Sequence, residues 1–318
     1  MKVLISAPYL VPYIDDYRHF LERHNIEVVV ADVEERLEED QLLAYVGDID
    51  GILAGDDRLT RRVLSSGSRL KVLSKWGTGI DSFDLDAARE FGIAVYNLPG
   101  AFNDPVSDSV LGYILTFARR IPWTNAAMHS GRWEKQMGRT VSESTVGIIG
   151  VGNTGRAVID KLSAFGCKIL GNDVATVDQA FLHKRNVTML TLDELLEQSD
   201  FVSINCDLNP TSRGLVGAEQ LATMKKTAVL INCARGPIVN NGALAAALKN
   251  GTIAGAALDV FEEEPLPKES PFRGLENIIL APHNANSSPT AWARVHLIAL
   301  RNLLRGLDIT DDELEAVK

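Results

Sequence analysis

The stretch TVGIIGVGNTGRA, residues 145–157, decides how the 318-residue chain is read. An apolar run reaches Gly150, Gly152 and Gly155 and then turns amphipathic, the pattern of a strand, a tight turn and a helix. Gly150 permits the sharp turn, Gly152 lets a phosphate group approach the backbone, and Gly155 lets the helix pack closely on its strand. Unbonded amides at the helix start, aligned with the peptide dipoles, make an anion site.

A glycine triplet alone is a weak signal, so the reading depends on the rest of a βαβ unit following it. CKILGND, residues 167–173, supplies a second apolar run ending in Asp173, eighteen residues past Gly155 and near the ~20 of a ribose-binding acid. An acid there accepts from both ribose hydroxyls and repels a 2′-phosphate. Val174, Ala175 and Thr176 offer no arginine to hold one. The cofactor expected is therefore NAD rather than NADP, held by Gly150, Gly152, Asn153, Thr154, Gly155 and Asp173. The plainer role for Asp173 is to cap the following turn.

Length beyond the ~250–300 residues at which one core stops growing implies two domains. A hydrophobic share of 46% against 23% charged residues describes an ordinary globular chain, not a disordered one. The formal net charge of −10 argues against nucleic acid or an anionic membrane as partner. Cys167, Cys206 and Cys233 are widely spaced in apolar runs and read as small buried residues in a reducing compartment. Without CxxC, HExxH or an acidic calcium loop, no metal site is expected. No stretch approaches a membrane span or a signal peptide, which leaves a cytoplasmic location.

Short apolar runs alternate with amphipathic segments from the start: 2–6, 26–31, 50–55, 71–75 and 93–97, then 187–190, 201–205, 228–233, 253–260 and 277–282. Strands separated by helices predict parallel sheets covered on both faces. The fold class expected is α/β, with two doubly wound parallel-sheet domains and a cleft between them. A flavodoxin-like substrate domain takes residues 1–101 plus 288–318, and a Rossmann NAD domain takes 102–287. The largely apolar run 109–121 predicts a helix, capped by Asn103 or Asp104 ahead of Pro105, and a second helix carries Trp123 and Trp133. Residues 105–140 are the expected homodimer surface. SSPTAWARVHLIALRNLLRGL, 287–307, reads as a last helix returning to the first domain.

Three turns that follow strands of the second domain carry Arg235, Glu264 and His283, at the sheet edge where ligands bind in open α/β folds. The three suffice to move a hydride to or from a 2-oxo acid. Arg235 forks onto the carboxylate and polarises the carbonyl, His283 exchanges the proton, and Glu264 orients the imidazole. Each also has a plain structural role open to it, and Glu264 sits in an acidic run, Glu262 to Glu264. The other histidines, His19, His24, His129, His183 and His296, read as structural.

From about residue 70 to 290 the chain resembles the NAD-dependent D-2-hydroxyacid dehydrogenases, most closely their phosphoglycerate dehydrogenase branch. The resemblance covers 71–100, the turn GIIGVGNTG, MKKTAVLINCARGPIVN, AALDVFEEEP and APHNA. It implies catalytic roles for Arg235, Glu264 and His283, and cofactor contacts for Asn153, Thr154, Asp173, Thr78, Cys206, Cys233 and Asp259. It also implies a substrate-carboxylate loop at Gly77, Thr78 and Gly79. Lys75 stands where phosphoglycerate enzymes carry an arginine for the substrate phosphate, while Trp76 is bulky beside the loop. Ala285 and Asn286, and the run Val106, Ser107, Asp108, depart from the family pattern. The substrate expected is a small anionic 2-hydroxy or 2-oxo acid. Phosphoglycerate, in serine biosynthesis, comes first, and glyoxylate or hydroxypyruvate is the rival. With the sequence ending at Lys318, neither an appended regulatory domain nor serine feedback is expected. A dinucleotide-sensing corepressor on the same fold is the alternative from another class.

Overall fold

The structure, a computed structural model, describes residues 1–317. The described residues divide into two compact units, one of residues 1–102 with 287–317 and one of residues 103–286.

The first unit is built on five parallel strands: β1 (Lys2–Ile5), β2 (Glu27–Val30), β3 (Gly51–Ala54), β4 (Val72–Lys75) and β5 (Ala94–Tyr96). Their order in the sheet is β2-β1-β3-β4-β5, the flavodoxin-like winding. Leu4, Ile52 and Leu73 point into one apolar core with Leu42, Val63, Leu64 and Ala87 of the covering helices. The opposite face takes the amphipathic helix Pro289–Gly306, which packs on β3, β4 and β5. Ser288 caps that helix by accepting from the Ala291 amide, and Pro289 fills its first position, where a missing amide costs nothing.

The second unit has seven parallel strands: β6 (Thr145–Ile149), β7 (Lys168–Asn172), β8 (Val187–Met189), β9 (Phe201–Ile204), β10 (Val229–Asn232), β11 (Gly255–Leu258) and β12 (Ile278–Leu280). Their order is β12-β11-β10-β9-β6-β7-β8, the Rossmann winding extended by one strand. Side chains alternate across this sheet. Ile149, Val202, Ile204, Leu230 and Leu258 enter one core, while Val146, Ile148, Ile231 and Ala257 enter the other with Val110, Ile114, Val158 and Ile159. The strand order reverses between β6 and β9, whose Ile149 and Ile204 are register partners.

The helix expected around 109–121 spans Asn103–Arg119. Asn103 is therefore its first residue rather than its cap, and Pro105 lies in the first turn, where the amide would be orphaned in any case. One stripe, Ser107, Val110, Ile114 and Ala118, is buried. The second helix, Ile121–His129, carries Trp123 but not Trp133. Gly131 at φ +79° stops it, because a left-handed residue ends a helix. Trp133 then lies on irregular chain, 87% exposed. No helix among the described residues is long and apolar enough to cross a membrane.

Candidate active site

β6 ends at Ile149, and Gly150 turns the chain at φ +89°. A Cβ on Gly150 would stand 2.5 Å from the Cys206 amide nitrogen just past β9, and one on Gly155 would overlap the Gly150 carbonyl oxygen. Both glycines are thus required by close packing where the strand order reverses. A Cβ on Gly152 would meet nothing within 4 Å, and Asn153 and Thr154 open the helix Asn153–Leu162 behind it. Thr154 Oγ1 donates to Asn103 Oδ1 at 3.4 Å. Asp173 accepts the Val151 amide on one oxygen at 2.6 Å and the Ala175 amide on the other at 2.8 Å. It therefore caps the glycine turn, and each carboxylate oxygen keeps a lone pair for a ribose hydroxyl. Open space at Gly152, helix amides behind it and an acid at the next strand end fit a dinucleotide.

His283 follows β12 at φ +50°. Its amide donates to the Asp259 carbonyl at 2.7 Å, and the Asn284 and Ala285 amides donate to the two Asp259 carboxylate oxygens at 2.8 and 2.9 Å. Asp259 therefore shapes the loop that presents His283. Burial raises its carboxyl above the usual range, against the opposing pull of those two amides. His283 Nδ1 lies 3.0 Å from Glu264 Oε2, and Glu264 Oε1 accepts the Phe261 amide at 2.7 Å. An ionised carboxylate only accepts, so it takes the Nδ1 hydrogen bond, and Nε2 is then the ring nitrogen that could exchange a proton with a substrate.

Arg235 follows β10 in a loop organised by Asn232, a buried side chain that sequence reasoning misses. Asn232 Oδ1 accepts the Ala234 amide at 3.0 Å, and its Nδ2 donates to the Arg235 carbonyl at 2.9 Å. The available signal is a polar residue closing an otherwise apolar strand. A Cβ on Gly236 would overlap the Phe261 carbonyl, so the arginine loop lies directly on the loop that leads to Glu264. Arg235 Nη1 donates to the Ala234 carbonyl at 3.1 Å.

Cys206 and Cys233 follow β9 and β10 as free thiols. Burial pushes Cys206 up to about 11 and Cys233 well above its ordinary value. Both are therefore neutral near pH 7, unlike a nucleophilic cysteine.

In the first unit, Gly77 sits at φ +127° after β4. Its carbonyl accepts the Leu98 amide at 2.9 Å, and the Thr78 carbonyl accepts Asn97 Nδ2 at 2.6 Å. Across each trans peptide the next amide points the other way, so the Thr78 and Gly79 amides face away from residues 97–98. Thr78 Oγ1 donates to the Leu98 carbonyl at 2.9 Å. Lys75 is 3% exposed, with Nζ 3.0 Å from Asp56 Oδ1.

Residues 111–285 match the family described as D-isomer specific 2-hydroxyacid dehydrogenase, NAD binding domain. The chain is 39% identical to a glyoxylate reductase of Thermofilum pendens over 83% of its own length and 80% of the relative. It is 36% identical to a D-3-phosphoglycerate dehydrogenase of Methanocaldococcus jannaschii over 88% of its own length, but spans only 54% of that relative. Among solved structures it is similar to the TT0316 protein from Thermus thermophilus, with a TM-score of 0.84 and 32% identity over 97% of each chain.

Proposed function

Because this chain belongs to the D-isomer specific 2-hydroxyacid dehydrogenase family and works with NAD, we propose that it interconverts a small unphosphorylated 2-oxo acid, of the glyoxylate or hydroxypyruvate kind, with its D-2-hydroxy acid. The observation that carries the chemistry is the 3.0 Å contact between His283 Nδ1 and Glu264 Oε2. The turn 150–155, Asp173, Thr78, Cys206, Cys233 and Asp259 would hold NAD, which when bound would supply the hydride in reduction and accept it in oxidation. His283 Nε2 gives a proton to the carbonyl oxygen in reduction and takes it back in oxidation. Glu264 holds the imidazole in the tautomer that does this. Arg235 binds the carboxylate and polarises the carbonyl, and the amides of Gly77, Thr78 and Gly79 bind the carboxylate as well.

The ion pair of the buried Lys75 with the part-exposed Asp56 favours the unphosphorylated acids, since a cation already neutralised offers little to a phosphate. Phosphoglycerate remains the second reading, because Lys75 adjoins the carboxylate loop. A homodimer through 105–140 is supported by Trp133 and Met137, 87% and 94% exposed on one segment. Three free thiols support a reducing, cytoplasmic compartment.

The test is NADH oxidation by the purified protein with glyoxylate, hydroxypyruvate and 3-phosphohydroxypyruvate in parallel. The expected result is a kcat/KM at least ~10-fold higher for an unphosphorylated acid, a difference of about 1.4 kcal/mol. The reverse order would reinstate phosphoglycerate, and no turnover with any acid would reinstate the dinucleotide sensor.

A further inference from the structure

Trp76 and His296 are 220 residues apart in the chain and share a hydrogen bond, Trp76 Nε1 to His296 Nδ1, at 2.9 Å. Each is 3% exposed. An indole N–H only donates, so Nδ1 must be bare and the imidazole neutral. Tyr13 and Tyr17 flank the imidazole with ring centroids 5.9 and 5.2 Å away. Burial lowers the His296 pKa to about 4, which agrees with the neutral ring.

Strand alternation explains why this pair matters to the loop that follows. Ser74 Oγ donates to the Ala299 carbonyl of the helix Pro289–Gly306 at 2.7 Å, and Trp76, two residues on, faces the same helix. Lys75 faces the other way, toward Asp56. The residue before Gly77 is therefore anchored by its indole. Tyr9, Trp292 and Phe102 pack around that indole at centroid distances of 5.3, 5.6 and 5.6 Å.

We propose that His296 is a positioning residue which, through the Trp76 indole, sets the position of the Gly77–Thr78–Gly79 amides for the substrate carboxylate. This rests on the reading of that loop as the carboxylate site. Removing the acceptor orphans a buried donor and loosens the indole, so the loss falls mainly on substrate binding, where all three amides act, and less on the cofactor, which meets the loop at Thr78 alone.

The experiment compares wild type, His296→Leu, His296→Asn, Trp76→Phe and the double variant His296→Leu/Trp76→Phe. Steady-state kinetics use the best 2-oxo acid, NADH binding is followed by fluorescence, and thermal melting checks the fold. His296→Leu is expected to raise KM about tenfold with a much smaller rise in the NADH Kd, Thr78 being one cofactor contact among several. His296→Asn, whose Oδ1 replaces Nδ1, should recover most of that loss, and His296→Leu should add nothing in the Trp76→Phe background. An unchanged KM, an equal shift in the NADH Kd, or an asparagine variant as impaired as leucine would overturn the proposal. If His296→Leu does not fold, the asparagine and Trp76→Phe variants decide by the same KM criterion. Absence of turnover in wild type would instead remove the carboxylate reading, and the proposal with it.

Discussion

Lys75 and Asp56 form a 3.0 Å ion pair in which the lysine side chain is 4% exposed and the aspartate 36%. The lysine is thereby committed to a neighbour in its own unit. Asp56→Ala should release its charge and raise kcat/KM for 3-phosphohydroxypyruvate relative to hydroxypyruvate by about tenfold, equivalent to about 1.4 kcal/mol. An unchanged ratio would remove Lys75 from substrate discrimination. The same variant should melt lower, because a buried cation loses its partner.

His283→Ala should lower kcat by ~10²–10⁴-fold, the usual contribution of a general acid or base. Cofactor binding should be nearly unchanged, as measured by NADH fluorescence. A variant retaining activity close to wild type would place the proton transfer elsewhere.

Glu264→Gln should be nearly as damaging in hydroxy-acid oxidation. With its oxygen kept on the Phe261 amide, the new NH₂ group faces Nδ1 and drives the imidazole proton onto Nε2, where it blocks uptake of the substrate proton. A kcat loss of ~10²-fold or more is expected, with little change in melting temperature. Activity equal to wild type would show that the tautomer does not matter.

Asp173→Ala should weaken NADH binding by ~10-fold or more, since bonds to a charged acceptor contribute about 1.5–3 kcal/mol each. It should also narrow the preference for NADH over NADPH, because the charge that repels a 2′-phosphate is gone. Parallel fluorescence titrations with the two cofactors measure this, and an unchanged ratio would leave Asp173 as a turn cap only.

His296 makes stability depend on pH. Its pKa is about 4 in the fold against an ordinary 6.5, so on acidification the unfolded chain takes up the proton first. The contribution is complete above pH 6.5 and is lost as pH falls toward 4, by about 3 kcal/mol in all. Tyr13, Tyr17 and Trp76 are the rings facing it, and none supplies a countercharge. Urea unfolding at neutral pH and again at a pH just above 4 should show the loss in wild type and a smaller one in His296→Asn.

Much of the fold is legible in the sequence because periodicity is local. Every strand among the described residues falls within an apolar run of the sequence, and Thr60, Asp84 and Ser288 cap helices as their residue types suggest. Trp133 lies beyond Ser130 and Gly131, a helix-stop signal that the sequence carries, and the left-handed Gly131 separates it from the helix before it. His296 reads as merely structural in the sequence because nothing near it in the chain names Trp76 as its partner.

Short-range spacing alone is enough to set the alternation of strands and helices, the glycine turn with its acid, and the residue types able to bind a carboxylate and move a proton, since each is expressed within a few neighbouring residues, whereas the order of the strands in each sheet is not. Which groups meet is settled by the packed chain: Glu264 with His283, Asp259 with the 284–285 amides, Lys75 with Asp56 and Trp76 with His296. Hydrogen bonds and ion pairs act over about 3–4 Å, and that separation is fixed by strand register and helix packing, not by distance along the chain.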